Sequence, residues 1–466
     1  MRSLILPALL LATPLHAQLL SPEDLERADE LRTLAQESAL AWELLEDLTV
    51  EVGPRMAGSA GDARGVAWGE ARFKALGFDR VALEPVTFPA WRRGAERATL
   101  VGPYGLDLAV TALGGSVGTP EAGITAPLVR FATLADLDAA PDGSLEGRIA
   151  YIGNRMARAS DGSGYGPAVQ ARARGASIAA QKGASALVIR SIGTDDNRTP
   201  HTGVMSYIPG YARIPAAAIS NPDADVIDGL FDRGSIPRLT LALDVGPAGE
   251  YTSHNVIGEI RGSERPEEIV LIGCHLDSWD LGMGVLDDGA GCAVTMAAAK
   301  LIREHAGAPS RTIRVVLFAN EEQGLWGARA YRDAHLDDLD HHIIGAESDF
   351  GAGRIYRFST RFAPEAFGLA DQFARALAPL GIVRGDNNAF GGADISPMRA
   401  AGMAVATLHQ DGTHYFDYHH TSNDTLDKVD RENLAQNVAA WTVFTWLAAQ
   451  APGDFGKGLG EAAAAN

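Results

Sequence analysis

The apolar positions along the chain fall into two patterns. Beyond residue 253, short apolar runs alternate with segments in which apolar residues recur at helical spacing. Runs 255–260, 269–273, 312–319, 342–346, 354–359 and 403–408 read as strands. Segments 289–303, 325–334, 364–380 and 431–449 read as helices. In the first of these helices Ala290, Ala293, Val294, Ala297 and Leu301 share a face; in the last, Leu434, Val438, Trp441, Thr442 and Thr445 do. Alternation of this kind predicts an α/β fold, a mixed and mainly parallel sheet with helices on both faces.

Residues 97–245 carry a different pattern. The runs ITAPLVRFA, GRIAYIGN, ASALVIRS, IPAAAIS and PRLTLALD are short, strand-like and separated by Gly and Pro, with one clear helix at 168–182. They predict a β-rich insert with its own small core, in which the lone His201 reads as a surface or loop residue. Upstream, 21–48 and 63–76 are helical and 78–88 is strand-like. The first helix opens on Ser21-Pro22-Glu23-Asp24, with Pro and acids in the first turn. These helices have no surface of their own on which to bury an apolar face. The economical arrangement is one discontinuous domain, 18–96 with 246–452, interrupted by the insert and followed by a disordered tail at 453–466.

Length and charge narrow the picture. A chain of 466 residues suits two or three domains. A net charge of −19 argues against nucleic acid and anionic membrane as partners. Residues 1–17, MRSLILPALLLATPLHA, have the build of a signal peptide: Arg2, an apolar core, and a cleavage site at Leu15-His16-Ala17. That run is too short to cross a bilayer. The expectation is an exported protein, secreted or periplasmic. Its two cysteines, Cys274 and Cys292, leave two readings. Export would permit a disulfide, but a buried strand and the helix after it favour two small buried side chains.

Candidate chemistry collects at four predicted strand ends. His275 and Asp277 follow the strand at 269–273, with Asp287–Asp288 in the next loop. Glu321–Glu322 follow 312–319, and Glu347 and Asp349 follow 342–346. After 403–408 comes HQDGTHYFDYHHTSNDT. Singly, each group has an ordinary explanation as a turn, cap or surface residue. Together they lie at one edge of one sheet, where so many carboxylates would be too costly to bury without cations. A mix of His and carboxylate without thiolate suits Zn²⁺ or a related ion. Of two adjacent Glu residues, one can ligate an ion while the other faces a water and acts as base.

At these residues the chain resembles the co-catalytic zinc aminopeptidases and glutamate carboxypeptidases. The resemblance rests on CHLDSW (274–279), LDDGAG (286–291), NEEQGLWGA (320–328), ESDFG (347–351) and YHHTSNDT (418–425), in the family's order, with VGPRMAGS near the N-terminus. The insert resembles a protease-associated domain. PAWRRGAE and HHTSNDTLDKVD are similar to the plasma glutamate carboxypeptidase branch. The resemblance implies two Zn²⁺ per chain: one on His275 and Asp349, the other on Glu322 and His420, with Asp287 bridging. It implies Glu321 as general base, Asp277 as the carboxylate that orients His275, and a cis peptide at Asp287–Asp288. Sequence chemistry leaves His419 and His420 open as ligands; the family's ligand directly precedes the Thr, which makes it His420. A Tyr precedes that ligand in glutamate carboxypeptidase and stabilises the tetrahedral intermediate. Here His419 stands in that place and Tyr418 one earlier. Asp394, near the mouth, either meets a substrate amine or is structural. The implied reaction is hydrolysis of short peptides with a free N-terminus, dipeptides especially, by a protein that is a homodimer in this branch. Two alternatives stand beside it. One is a carboxypeptidase that reads a C-terminal carboxylate through Arg92, Arg93 or Arg213. The other is an inactive binding protein.

Overall fold

The computed structural model describes residues 19–102 and 105–456. The expected signal peptide lies outside the described residues. Among those described, no helix is long and apolar enough to cross a membrane. The tail expected to be disordered from 453 is packed at its start: Phe455 is fully buried and stacks near Phe362 and Phe373.

Four parallel strands form the centre of the C-terminal sheet, in the order Val405–Gln410, His342–Glu347, Arg265–His275 and Arg311–Phe318. Antiparallel strands flank them: Ile355–Arg361 on one side and Arg238–Ile260 on the other. Successive residues of the central strand face opposite cores. Val270, Ile272 and Cys274 join the larger core, while Ile269 and Leu271 join the smaller one. Each such side chain contributes roughly 1.5–3 kcal/mol by leaving water. Helices Ala290–His305, Arg431–Gln450 and Pro22–Glu37 cover the first face, and Trp326–Ala334 covers the second. The C-terminal helix is not the one-sided helix its periodicity predicts. It is buried nearly all round from Gln436 to Ala449, because the sheet lies under it and four other helices pack against it.

The N-terminal helices do fold onto this region, as helix pairs with Arg431–Gln450 and Ala290–His305. The predicted helix at 21–48 is two, Pro22–Glu37 and Leu40–Asp47, with the break at Ser38. The insert differs from the β-rich expectation. Its strands Ile124–Phe131, Ile149–Ile152, Ala186–Arg190 and Ala216–Ile219 run parallel, with helices Leu134–Asp138 and Tyr165–Gln181 in the first two connections and Asn221–Asp232 after the last strand. Short apolar strands separated by Gly and Pro look alike in either architecture; parallel pairing needs the crossover helices that decide it. Two long antiparallel strands, Arg80–Val101 and Arg238–Ile260, pass through both domains. The boundaries at 97 and 245 therefore fall inside continuous strands.

Cys274 and Cys292 are joined by a disulfide. Cys274 points to the face covered by helix Ala290–His305, whose first turn presents Cys292. The reading of two separate buried side chains is corrected.

Candidate metal centre at the strand ends

Strand Arg265–His275 is where the sheet changes direction. The chain leaves it through helix Ala290–His305 to the neighbour on one side, then crosses through Trp326–Ala334 to the neighbour on the other. A crevice opens outside the carboxyl ends at such a point. His275 is the last residue of its strand, Glu321 and Glu322 follow Phe318 by a short turn, and Glu347 ends the strand that precedes Asp349. His419 and His420 arrive on a loop beyond Val405–Gln410, and His420 has a left-handed backbone (φ 61°).

These residues converge. Nε2 of His275 lies 3.1 Å from Asp287 Oδ1 and 3.6 Å from Asp349 Oδ1. Nε2 of His420 lies 2.8 Å from Glu322 Oε2 and 3.2 Å from Asp287 Oδ2. Asp287 thus turns one oxygen to each histidine, and its peptide bond to Asp288 is cis. His419 stacks on His420 with ring centroids 3.5 Å apart, and its Nε2 is 3.7 Å from Asp287 Oδ2. Donor atoms of His275, Asp287 and Asp349 all lie within 4.8 Å of one another, as do those of Asp287, His419 and His420.

The charges do not balance within the protein. Burial pushes the carboxyl of Glu322 up to about 7 and that of Glu347 up to about 8. It also raises Glu321, Asp288 and Asp394 well above the carboxylate range. Burial opposes protonation of His420, but Glu322 and Asp287 outweigh it and hold the imidazole up to about 9. Asp287 Oδ2 and Glu347 Oε1 are buried and accept no hydrogen bond. Ligands about 2.0–2.1 Å from a tetrahedral zinc are separated by about 3.3 Å, close to the spacings seen here. The residues suit two divalent cations sharing Asp287.

The surrounding shell departs from expectation in several places. Asp277 supports His275 through its backbone: His275 Nδ1 donates to the Asp277 carbonyl at 2.9 Å. The Asp277 carboxylate, 3.7 Å from that nitrogen, instead accepts from the amides of Glu321 (2.9 Å) and Glu322 (3.3 Å). It positions the paired glutamates as well as lying beside the histidine. Tyr418 does not reach the catalytic cavity; it lines a neighbouring pocket, with Lys428 Nζ 5.6 Å over its ring. Asp394 is fully buried behind Glu347, whose Oε2 accepts the Asp394 amide at 2.7 Å, and it does not line the cavity. His201, expected at the surface, is buried. Arg92 is exposed and paired with Asp244, and Arg93 is bound to Asp280 and Glu96. Arg213 lies over Tyr207. None of the three lines the cavity.

Residues that pattern reading passed over also shape the site. Asp424 accepts the amides of Val285, Leu286 and Asp287 and so holds the loop that carries the bridging carboxylate. Buried Arg55 donates to the carbonyls of Leu276, Met283 and Gly284. Both lie in stretches with motif character, TSNDT and VGPRMAGS. Tyr165 and Arg172, from the insert, had no such signal. They line a cavity of about 680 Å³ together with Glu321, Glu347, Asp349 and His419.

A crevice of buried histidines and carboxylates at the carboxyl ends of such a sheet has the build of a metal-dependent hydrolase site. Residues 255–445 match the profile of peptidase family M28. Carboxypeptidase Q of Bos taurus is 34% identical over 416 residues, covering 88% of this chain and 85% of the relative. The chain belongs to peptidase family M28. A peptidase M28 precursor from Shewanella amazonensis has a solved structure that superposes with a TM-score of 0.91 at 50% identity, covering 93% of this chain and 98% of that one. An aminopeptidase from Aneurinibacillus sp. strain AM-1 shares the fold, with a TM-score of 0.62 at 23% identity over 92% and 97% of the two chains.

Proposed function

We propose that this protein is an exported dizinc exopeptidase that cleaves short peptides bearing a free N-terminus. The observation that carries the reading is the Asp287 carboxylate, one oxygen toward His275 and the other toward His420, with Glu321 in the same cavity. His275 and Asp349 would hold one zinc ion and Glu322 and His420 the other. Zinc bound there would lower the pKa of a water and polarise the scissile carbonyl. Glu321 is the base. The water oxygen adds to the carbonyl carbon while its proton passes to Glu321. The C–N bond then breaks, and Glu321 returns the proton to the departing nitrogen, leaving a carboxylic acid and an amine. The stacked His419, at the cavity wall, is placed to meet the tetrahedral oxygen. Export rests on the pattern at 1–17.

Both ends of a short substrate find complementary groups. Glu347 offers a buried, unpartnered oxygen to a substrate ammonium. Arg172 supports a second reading, in which the C-terminal carboxylate is also held. It is buried, donates only to neutral oxygens of Tyr165 (2.5 Å) and Thr202 (3.4 Å), and its Nε has no acceptor. A residue of extended chain covers about 3.3–3.6 Å, so a carboxylate one residue beyond the scissile bond stays within the cavity. The test is a panel of one dipeptide, its N-acetyl form and its C-terminal amide. Acetylation should abolish turnover. Loss with the amide as well makes the protein a dipeptidase, and retention makes it an aminopeptidase. Turnover of the acetylated substrate at the rate of the free one would refute the free-N-terminus reading.

A further inference from the structure

The insert reaches the metal centre through its backbone. The Thr202 amide donates to the His420 carbonyl at 3.1 Å, and His420 Nδ1 returns a bond to the Thr202 carbonyl at 3.2 Å. One residue earlier on each side, His201 Nδ1 lies 2.7 Å from the His419 carbonyl. The other nitrogen of His201 lies 2.7 Å from Asp195 Oδ1. The ring of His201 thus bridges the Asp195 carboxyl and the His419 carbonyl. Asp195 is fixed in turn by the Asn197 amide and by the Asn221 side-chain amide on its carbonyl. His201 is anchored by its own amide on Ser191 Oγ at 2.9 Å. Ser191, Asp195, His201, Thr202 and Asn221 are all buried, and Gly193 leaves no room beside the ring: a Cβ there would lie 2.2 Å from His201.

We propose that the His201–Asp195 pair, with the Thr202 carbonyl it steadies, is a positioning device for the metal centre. It sets the orientation in which His420 offers Nε2 to a metal ion. A donated Nδ1–H leaves the Nε2 lone pair toward Glu322 and Asp287, the tautomer a ligand needs. The backbone of His420 is left-handed, a conformation a non-glycine residue adopts only when its surroundings hold it. The three contacts between 201–202 and 419–420 supply that hold from a segment more than 200 residues away in sequence. On this view the insert completes one half of the dimetal site as well as walling the cavity.

The inference rests on His420 as a zinc ligand, so the experiment begins with the unaltered protein. Zinc affinity is measured by chelator competition, and the cobalt-substituted protein gives an electronic spectrum of the two sites. A wild-type protein that binds neither metal overturns both readings. Given two ions in the wild type, His201→Ala should weaken one of them about 10–100-fold and leave the other as it was. The cobalt bands of that one site should shift, and kcat should fall more than KM rises. His201→Gln, which keeps a donor toward the His419 carbonyl, should recover part of the lost affinity. Unchanged affinity and an unchanged cobalt spectrum in His201→Ala would overturn the proposal. So would equal weakening of both ions alongside a lowered melting temperature, the outcome of a merely structural role. Asp195→Asn, nearly isosteric, decides the matter by the same criteria if His201→Ala does not fold.

Discussion

The molecule contains two parallel sheets whose carboxyl ends carry charge, and they use it differently. In the insert, Arg190 ends the strand Ala186–Arg190 and is buried. It pairs with Asp228 at 2.7 Å and Asp225 at 2.9 Å, and its remaining donors meet the carbonyls of Gly153 and Asn221. Every charge there has a partner within the protein. At the corresponding edge of the peptidase sheet, Asp287, Glu321, Glu322, Glu347 and Asp349 gather around His275, His419 and His420, and the Arg172 and Arg329 side chains that line the same cavity form no ion pair with these carboxylates among the described residues. The same geometry yields a closed structural edge in one case and a site that calls for metal in the other. Charge compensation, more than topology, separates them.

That comparison can be broken most sharply by Glu321→Gln. The substitution should lower kcat by about 10²–10⁴-fold, equivalent to roughly 3–5 kcal/mol, while both zinc ions remain bound. Steady-state kinetics with metal analysis checks it, and normal turnover would remove Glu321 as the base. The insert should answer in stability instead. Arg190→Met removes the buried partner of Asp225 and Asp228, which are partly exposed and keep Arg155 and Arg130, and strips the carbonyls of Gly153 and Asn221 of a donor; it should cost about 1–3 kcal/mol in denaturant unfolding. Zinc content and the kcat of the folded fraction should not change. Separating Cys274 from Cys292 by a Cys292→Ala substitution should cost about 3 kcal/mol, given a sequence separation of 18 residues. If the loop bearing His275 and Asp287 depends on that link, zinc affinity falls with it.

The smallest effect concerns pH. In the metal-free protein the folded-state values of Glu322 (about 7), Glu347 (about 8) and Asp424 (about 7) all lie above those of the unfolded chain. The folded state therefore holds more protons than the unfolded one above pH 4–5 or so. Their contribution is fully present below that range and is lost as pH rises through the folded values. His420, raised to about 9, acts in the same direction above its usual value. Thermal melts of metal-free protein should show stability declining from about pH 5 to about pH 8, and saturating zinc should flatten that decline. A metal-free protein most stable at pH 8 would contradict the charge imbalance described above.

Much of the site is legible in sequence because it sits where strands stop. The apolar runs end at His275, just before Asn320-Glu321-Glu322, and at Glu347, and a parallel sheet brings such ends to one edge. Asp424 was within reach, as a carboxylate in a motif whose partners are backbone amides that no pattern displays. Tyr418 shows the limit of counting along a loop. A short helical turn at Tyr415–Asp417 rotates it away, so that Tyr415 and Phe416 face the cavity instead. Arg172, Tyr165 and His201 were beyond reach, because their relevance depends on how the insert folds against a distant loop. The β-rich expectation for the insert misses helix Asn221–Asp232, which follows the short strand Ala216–Ile219 and has a polar start and no long periodic run. The C-terminal helix shows the converse: periodicity records one apolar face and misses burial imposed by neighbours on every side.

The paired strands Arg80–Val101 and Arg238–Ile260 have a consequence for how this protein can be rebuilt. Their ladder runs from Arg80 opposite Glu259 to Val101 opposite Arg238, interrupted by irregularities at Ala90–Trp91 and Arg93–Glu96. At about 3.3 Å per residue, each strand spans on the order of 70 Å. At the expected boundaries, 97 and 245, the chain passes between the two domains within this ladder, so a cut there severs paired strands. Any shortening must take equal lengths from both strands, and only even numbers of residues preserve which side chains face inward. Removing one residue from each would turn the outer part of the ladder over. His201 would then no longer meet the loop it braces, so the spacing between the two domains is set in steps of two residues.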